Sequence, residues 1–492
     1  MGDKNISLKE IFISAAKNHQ KGNYEIAKNL YKKILDINST HAETHYNLGV
    51  LHGDLGEHRK AISCYESAIQ INSNYIAAHY NLGKVFNKLG KRNKAISCYE
   101  KAIQIEPKHA DSYNALGVLH GDLGEHQKAI SCYEKAIQIN PNAGWYSNLG
   151  TVFKELGEHS KAIFCYEKAI KMDPNYAETH HNLALMLLLK SDFDKGFDEY
   201  EWRRKIPSNN YYKEVKLKAP EWRGENLTNK TILILSEQGI GDIIQFARYL
   251  YILKDNYSTN IIFRMHKRLV HLFVNSKFKI ITNEDTIPHY DFYKYLMSLP
   301  QIFYNKTKNF PKQINYIPKN TKIILKWKNK LSKIKGIKIG ITWQGNKMYR
   351  GDRLRSIPLN FFEPLFTIEK INFINLQKGF GIEQIENFKY KNKLYDFSSE
   401  VDNGSSAFED TIGILNNVDL VISSDTAVPH LSATMGIATW VLLPFSPDWR
   451  NFLKIKHSLW YEHIKIYRQE KLDRWQGIFK KVKKDLINEF NL

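Results

Sequence analysis

The sequence predicts an α-solenoid of paired helices followed by an α/β region built as two lobes. Residues 41–142 contain three consecutive segments that align without a gap at a period of 34 residues, a length typical of stacked helix pairs. From Thr231 onward, short apolar runs alternate with helical patterns, which is typical of a parallel sheet covered by helices on both faces. Two such α/β segments follow one another, so we expect a cleft between two lobes.

Length and composition indicate a folded protein of two or three domains. The 492 residues exceed what one hydrophobic core accommodates, and 43% hydrophobic with 13% aromatic residues are typical of a globular chain. The segment Met1–Asn5 has no basic region followed by an apolar run, which argues against a signal peptide. The longest apolar stretches, such as Leu183–Leu189, fall far short of the roughly 20 residues of a membrane span. We therefore expect a soluble cytoplasmic protein with at most peripheral membrane contact.

The net charge of +20 is concentrated in the C-terminal part, because residues 1–209 carry +3 and the remainder +17. Part of the excess lies in residues 301–340, which contain no acid. The lysines of this basic stretch are Lys306, Lys308, Lys312, Lys319, Lys322, Lys326, Lys328, Lys330, Lys333, Lys335 and Lys338. It is interpreted either as attraction to an anionic donor, a lipid surface or nucleic acid, or as a solvated lysine-rich connection. No nucleic-acid motif accompanies it, so we expect no nucleic-acid partner.

The repeats share small residues at fixed positions. A glycine ends each first helix in a conformation closed to residues with a Cβ, and an alanine in each second helix allows close packing. These residues are Gly56, Gly90, Gly124 and Gly157, and Ala61, Ala95, Ala129 and Ala162. The pattern resembles tetratricopeptide repeats over about residues 7–205, which implies a superhelix whose concave groove holds a peptide.

The four cysteines occupy one position of the repeat, directly before a tyrosine: Cys64, Cys98, Cys132 and Cys165. Metal ligands converge on one point, whereas equivalent positions of a solenoid are stacked about a repeat apart. We therefore expect thiols that fill the core, and no metal site.

An asparagine recurs early in the first helices, at Asn47, Asn81, Asn148 and Asn182. An amide offers both a donor and an acceptor to an extended peptide backbone. In the repeat-bearing protein O-glycosyltransferases such a ladder holds the peptide, and the resemblance implies the same role here. The alternative is that asparagine is only the consensus residue, since Ala115 interrupts the row.

We place the repeat array, of about six units, at residues 1–209 and an irregular connector at 210–229. The first Rossmann-like lobe, expected on the acceptor side, covers 230–334. The second, expected on the nucleotide-sugar side and ending in a closing helix, covers 335–492.

In the first lobe, Gly239-Ile240-Gly241 follows a predicted strand, but Ile244 stands where a dinucleotide fingerprint has its third glycine, which argues against a dehydrogenase. What remains is a tight turn that presents Asp242 at a helix start on the carboxyl edge of the sheet. This carboxylate is either a match to the helix dipole or a base that faces the cleft.

In the second lobe, Asp419–Gly436 reads as strand, turn and helix. The helix start leaves backbone N–H groups from Thr426 onward free to bind phosphate. His430 lies one turn further and is expected to add a proton or a hydrogen bond to the same anion.

Four motifs resemble the heptosyltransferase-like glycosyltransferases, which are related to glycosyltransferase family 9 and have the two-lobed GT-B fold. They are Gly239-Ile-Gly-Asp242, Trp343-Gln-Gly-Asn346, Asp352–Pro358 and Asp425–His430. The resemblance spans about residues 230–470 and is strongest in Asp419–Arg450, including Leu443–Arg450.

The resemblance implies that Asp242 is the general base, that Arg355 contacts the donor phosphates, and that Asp425, Thr426 and His430 hold the diphosphate and sugar. We place His430 with Asp242 in the catalytic set, and we expect Gly241, Arg353 and Ala427 to bind the donor as well. The family has Gly where this chain has Ala427 and often Lys where it has Arg355, so the donor is left open. Trp343 and Gln344 follow a strand and are expected to line the nucleotide or sugar pocket, with a core position as the alternative for Trp343.

These residues suit glycosyl transfer, which requires a base for the incoming hydroxyl and stabilisation of the departing diphosphate. Fixed positive charge supplies the second need, and no Asp-x-Asp motif lies near the site, so we expect a metal-independent, inverting reaction. We expect no cofactor beyond a UDP-, ADP- or GDP-linked sugar as co-substrate.

The first functional hypothesis is an enzyme that glycosylates a protein acceptor held by the repeats. The second keeps the chemistry but has a lipid-linked or surface polysaccharide as acceptor. The third is a non-catalytic repeat scaffold.

Overall fold

A computed structural model describes residues 7–209, 212, 215–311, 313–349, 351–453, 457–472 and 474–492. The chain forms two compact units, which divide after Tyr176. The boundary expected from the sequence lies later, at residue 209, because the last repeat-like helix pair belongs to the second unit. No helix in the described ranges is long and apolar enough to cross a membrane.

The first unit is an array of five antiparallel helix pairs within the described residues. Its helices are α1 (Leu8–Gln20), α2 (Tyr24–Ile37), α3 (Ala42–Asp54), α4 (His58–Ile71), α5 (Ile76–Lys88), α6 (Arg92–Ile105), α7 (Ala110–Asp122), α8 (His126–Ile139), α9 (Ala143–Glu155) and α10 (His159–Met172). Each first helix packs on its own second helix, and each second helix packs on the next pair. This is the predicted solenoid.

Two kinds of glycine shape the repeats. Gly56 and its equivalents have φ between +71° and +76°, so they end the first helices in the left-handed conformation that was predicted. Gly49 lies under the ring of Tyr65, where an added Cβ would be 2.7 Å from the ring carbons. Ala61 is completely buried between the same two helices. Local repeat chemistry thus accounts for this unit.

The thiol of Cys165 is buried in the array, as expected, whereas those of Cys64, Cys98 and Cys132 are half-buried against its apolar clusters. Burial raises the pKa of all four thiols, those of Cys64, Cys98, Cys132 and Cys165, to about 11. Because the thiolate is the reactive form, we expect alkylation of the native protein at pH 8 to be about a hundredfold slower than that of a thiol of ordinary pKa. Mass spectrometry after timed iodoacetamide treatment, with urea-unfolded protein as the control, measures this. Rapid labelling of the native array would contradict it.

The second unit begins with α11 (Ala177–Leu189), α12 (Phe193–Tyr200) and a 3₁₀ turn (Glu201–Lys205). Its other helices are α13 (Ile240–Phe246), α14 (Arg248–Asn256), α15 (Leu299–Thr307), α16 (Thr321–Leu331), α17 (Asp352–Arg355), α18 (Glu409–Leu415), α19 (Ala427–Thr434) and α20 (Gln476–Glu489). Its strands are β1 (Thr231–Leu235), β2 (Asn260–Met265), β3 (Lys279–Thr282), β4 (Phe292–Tyr295), β5 (Ile337–Thr342), β6 (Ile371–Asn375), β7 (Leu394–Tyr395), β8 (Leu420–Ser424), β9 (Thr439–Leu443) and β10 (Ile464–Arg468).

The strands form two parallel sheets, as the alternating pattern predicted. The first has the order β3-β2-β1-β4 and the second the order β10-β9-β8-β5-β6-β7. The inner strands read as continuous apolar runs because helices cover both faces. The core of the second lobe includes Ile341, Phe373, Ile422 and Leu442, all almost fully buried.

Helix α16 lies before the expected lobe boundary at residue 334 but packs on α18 of the second lobe. The indole N–H of Trp327 donates to Asp410 Oδ1 at 2.8 Å, and Lys326 pairs with the same oxygen at 2.7 Å. Other lysines of the basic stretch are also engaged: Lys306 donates to the carbonyl of Gly224 at 3.2 Å, and Lys308 pairs with Asp194. Part of the stretch is therefore tied into the fold. Lys312 lies outside the described residues.

Candidate active site

The site lies where the order of parallel strands reverses in each sheet. In the first sheet β1 lies between β2 and β4, and in the second β5 lies between β6 and β8. Open α/β sheets bind ligands at the carboxyl ends of the strands at such points. The loops after β1 and β8 carry Asp242 and Asp425, so both acids lie where a ligand is expected.

The turn after β1 presents Asp242 in the first turn of α13. Gln238 has φ of +62°, a left-handed conformation that few residues other than glycine adopt. Asp242 Oδ2 accepts a hydrogen bond from the N–H of Gly239 at 3.0 Å. One carboxylate oxygen is thus held by its own turn, and Oδ1 faces the second lobe.

The segment after β8 leads through Asp425 and Thr426 into α19. Thr426 is extended, and its side chain does not cap the helix. The first N–H groups of a helix have no intrahelical acceptor, so this end offers donors to an anion. Pro429, the third helical residue, has no N–H, and the helical donors are therefore limited to Ala427 and Val428. The predicted helix start is therefore present and offers one N–H donor fewer than usual, and its binding of phosphate stays a prediction.

The two helix starts lie against each other, since α13 packs on α19. A Cβ added to Gly241 would lie 3.3 Å from Ala427 Cα and 3.1 Å from His430 Cδ2. Gly241 therefore permits the close approach of the two lobes. Its contact with a donor stays a prediction, as does that of Ala427.

Arg450, to which the sequence assigned no role, joins the two lobes. Its Nη1 donates to Asp242 Oδ1 at 2.5 Å, and its Nε donates to Asp448 Oδ1 at 2.6 Å. The next residue, Asn451, donates from Nδ2 to Asp425 Oδ2 at 3.1 Å. The motif Leu443–Arg450 contained this arginine, but no local pattern indicated that it reaches an acid 208 positions earlier in the chain.

The acids of the site have perturbed pKa values. Burial raises the pKa of Asp242, and the nearby Arg450 opposes that rise. Burial likewise raises the pKa of Asp425. At Asp448 burial acts in the same direction, but the attraction and hydrogen bonds of Arg450 prevail and lower the pKa. Carboxylates with shifted pKa values in a ligand-binding position are typical of catalytic sites.

His430 lies half-buried behind the start of α19, with Nδ1 at 3.3 Å from the hydroxyl of Tyr461. Burial lowers the pKa of His430 well below its usual value, and the positive charge of Arg450 acts in the same direction. The lowered pKa favours the neutral ring. Of the two contributions expected from His430, a hydrogen bond to the anion fits the neutral ring, whereas donation of a proton requires the protonated ring that the lowered pKa disfavours.

Arg355 ends the short helix α17. Its Nε donates to Asp352 Oδ1 at 3.1 Å, and its guanidinium lies 4.9 Å from the ring centre of Tyr349. Gly345 makes room for this pair, because a Cβ there would clash with Asp352 Oδ1. Asp352 is 3% exposed. Arg355 is thus already paired, and the predicted phosphate contact would share it with Asp352.

Beside α17 lies a cavity of about 400 Å³. Its lining includes Gln344, Lys347, Tyr349, Arg353 and Gln384. Gln344 Oε1 accepts a hydrogen bond from Gln384 Nε2 at 2.9 Å. The predicted Gln344 and Arg353 therefore share one cavity with Tyr349.

Trp343 occupies the core, which was the alternative to a position in the pocket. The side chain is fully buried among the apolar residues of the second lobe. Its indole N–H donates to the carbonyl of Gly381 at 3.0 Å. The expectation that Trp343 lines the ligand pocket is therefore corrected, because its position at the end of a buried strand turns the ring inward.

Three of the four asparagines each donate one amide N–H group to another group of the array. Asn47 donates to the carbonyl of Glu43 at 2.9 Å, and Asn81 to the hydroxyl of Tyr46 at 2.9 Å. Asn148 donates to Asn114 Oδ1 at 3.3 Å. Asn182 is half-buried in α11 of the second unit. Contact with a peptide stays a prediction for all four.

Family models and one curated protein match parts of this chain. Family models described as tetratricopeptide repeat match residues 74–142, 143–176 and 165–197, and one described as TPR repeat matches residues 54–90. The predicted tetratricopeptide repeats in the N-terminal part are therefore confirmed. Protein FlbA of Caulobacter vibrioides is 23% identical over 314 residues, which cover 60% of this chain and 52% of that protein. The chain thus spans about half the length of this curated relative.

Solved structures similar to part of this chain include MamA, which is 29% identical, with a TM-score of 0.32 over 33% of this chain and 96% of that chain. PilF of Pseudomonas aeruginosa is 19% identical, with a TM-score of 0.38 over 42% of this chain and 95% of that chain. Each of these two structures covers less than half of the present chain.

Proposed function

We propose that the second unit is a glycosyltransferase of GT-B fold that uses a nucleotide sugar, and that the repeats bind its protein acceptor. The observation that carries the proposal is the meeting of two helix starts, one from each sheet. Asp242 stands at one of them, the uncapped start of α19 forms the other, and Arg450 bridges the lobes. The carboxylate that we assign as the base thus lies near the N–H groups that we assign to the diphosphate.

In the proposed reaction the acceptor hydroxyl oxygen bonds to the anomeric carbon of the sugar, and its proton passes to the Asp242 carboxylate. The bond from that carbon to the diphosphate breaks, and its electron pair leaves with the diphosphate. The N–H groups of Ala427 and Val428, with Arg355, would stabilise the leaving charge. Because base and leaving group act on opposite sides of the carbon, the transfer would invert its configuration.

The cavity beside α17 is the place we assign to the nucleoside of the donor. It lies next to Arg355, and its lining offers the amides of Gln344 and Gln384 together with the ring of Tyr349. Amides match the hydrogen-bonding edge of a base, and an aromatic ring matches its face. These features do not distinguish UDP, ADP and GDP.

A scaffold without catalysis is the second candidate. The matches to family models fall within residues 54–197, which are repeats. Tetratricopeptide repeats present extended surfaces that bind protein partners. In this case the second unit would have no catalytic role, and no protein, lipid-linked or polysaccharide acceptor would be modified.

The test is consumption of UDP-, ADP- and GDP-sugars by the full chain, compared with Asp242→Asn and His430→Ala. Asp255→Asn is the matched control, because Asp255 is an exposed acid of the same lobe. We expect one donor to be consumed by the wild type and the control, about a hundredfold more slowly by Asp242→Asn, and more slowly also by His430→Ala. Donor turnover that is unchanged in Asp242→Asn would refute the assigned base. Absence of both turnover and nucleotide binding would favour the scaffold.

A further inference from the structure

The last helix pair and the 3₁₀ turn after it, residues 177–205, lie against the loops that form the site. We call this segment the brace. Arg203 is 1% exposed and holds the buried Glu237 with two hydrogen bonds, Nε to Oε2 at 3.0 Å and Nη2 to Oε1 at 2.8 Å. Glu237 lies in the turn after β1, five residues before Asp242. The brace thus contacts the start of the turn that carries Asp242, the proposed general base.

Arg203 also contacts the loop after β4. In the first sheet, β4 and β2 lie on either side of β1, where the strand order reverses. Arg203 Nη2 donates to Ser298 Oγ at 2.7 Å, and Ser298 Oγ donates to Glu201 Oε2 at 2.9 Å. The N–H of Met297 donates to Glu237 Oε1 at 3.0 Å. Both loops at this edge of the sheet therefore share one hydrogen-bond network around the buried pair of Arg203 and Glu237.

Tyr200 adds a contact to the strained residue of the turn. Gln238 Nε2 donates to the Tyr200 hydroxyl at 2.9 Å. A left-handed glutamine costs free energy and persists where its surroundings hold it. The Tyr200 hydroxyl is one such constraint, and it lies on the same segment as Arg203.

The brace also holds the loop of the second lobe that carries Arg450. The N–H of Leu453 donates to the carbonyl of Leu189 at 3.2 Å, and the rings of Phe193 and Phe452 meet edge to face at 5.3 Å. Trp449, next to Arg450, is 3% exposed and lies 6.0 Å from the ring of Tyr200. One pair of helices thus contacts both loops whose side chains form the ion pair between Asp242 and Arg450.

We propose that the brace is a positioning element of the site, in which Tyr200 and Arg203 fix the turn of Asp242 and Phe193 fixes the loop of Arg450. The expected effect on catalysis rests on the proposed function, whereas the expected effect on hydrogen exchange in the two loops does not. The brace continues the repeat array in sequence, but in this proposal it forms part of the site of the second unit. Its residues act through Asp242 and Arg450 and need not touch the substrate.

The test uses two substitutions in the full chain, followed by hydrogen exchange. Tyr200→Phe removes one hydroxyl and keeps the ring, so exchange should accelerate about fivefold in residues 236–242 and remain unchanged in 449–453. Phe193→Ala removes the ring against Phe452, so the loop 449–453 should exchange several-fold faster and 236–242 should not change. Tyr166→Phe, which removes another buried tyrosine hydroxyl within the repeats, is the matched control and should affect neither segment.

The kinetic counterpart applies if a donor is turned over. Both substitutions should lower kcat several-fold and leave KM for the donor near the wild-type value, because neither side chain lines the cavity beside α17. A wild type that neither consumes a donor nor binds its nucleotide would refute the proposed function and leave the exchange test intact. Exchange that is unaltered in both segments, or accelerated equally throughout the second unit, would overturn the brace as a positioning element.

Discussion

Replacement of Arg203 by alanine is expected to lower the free energy of unfolding of the second unit by about 3–5 kcal/mol, because it leaves a buried charge without its partner. The side chains of Arg203 and Glu237 are 1% and 0% exposed. Burial acts to lower the pKa of Arg203, but Glu237 and Glu201 hold it well above its usual value, so the guanidinium is charged in the fold. The substitution also removes the donor to Ser298 and a contact with Glu201.

Arg204 provides the matched control for this measurement. It is the next residue and pairs with Glu221 and Glu201, but its side chain is 23% exposed and water can replace its contacts. Urea unfolding followed by tryptophan fluorescence should therefore show a small loss for Arg204→Ala and a large one for Arg203→Ala. Equal losses of unfolding free energy in the two variants would show that burial of the pair formed by Arg203 and Glu237 does not increase its contribution to stability.

Replacement of Arg450 by methionine should have the largest effect at the site, because it leaves Asp242 and Asp448 without their shared partner. Burial already raises the pKa of Asp242, and Arg450 opposes this rise, so the pKa of Asp242 should rise further in the variant. A base with a raised pKa is ionised only at higher pH. We therefore expect donor turnover at neutral pH to fall roughly tenfold or more, with the acidic limb of the pH profile displaced upward. An unchanged pH profile would show that Arg450 does not control the ionisation of the base.

For the same substitution, Arg450→Met, we expect a loss of folding stability that increases with pH. An acid whose pKa in the fold lies above its value in the unfolded chain binds its proton more tightly when folded. Arg450→Met should therefore be about as stable as the wild type at roughly pH 4 and become less stable than the wild type as the pH rises to roughly 7. Thermal unfolding at several pH values measures this, with Arg450→Lys as the control that keeps the charge. A stability deficit that is independent of pH would indicate lost packing instead of unpaired acids.

The repeats could be predicted from the sequence almost completely. Each helix pair makes most of its contacts within itself and with its neighbour. The structural roles of Gly56, Ala61 and Tyr65 can therefore be recognised from the sequence of one repeat. The parallel sheets were predictable for a related reason. A buried strand such as Thr231–Leu235 must be a continuous apolar run, and the turn after it must expose polar groups. The positions of Asp242 and Thr426 at strand ends followed from that pattern.

Only the tertiary structure decided which residues meet. Arg450 reaches Asp242 across 208 positions, Arg203 reaches Glu237, and Trp343 turns into the core, whereas a cavity-lining position had been expected for it. None of these outcomes has a local signal, because each depends on the order of strands in two sheets and on how α13 and α19 pack together. A sequence pattern determines which face of an element is apolar and where its chain turns. The pairing of charges from distant loops is set by the packing of whole elements, and it is this packing that brings Asp242, Asp448 and Arg450 together.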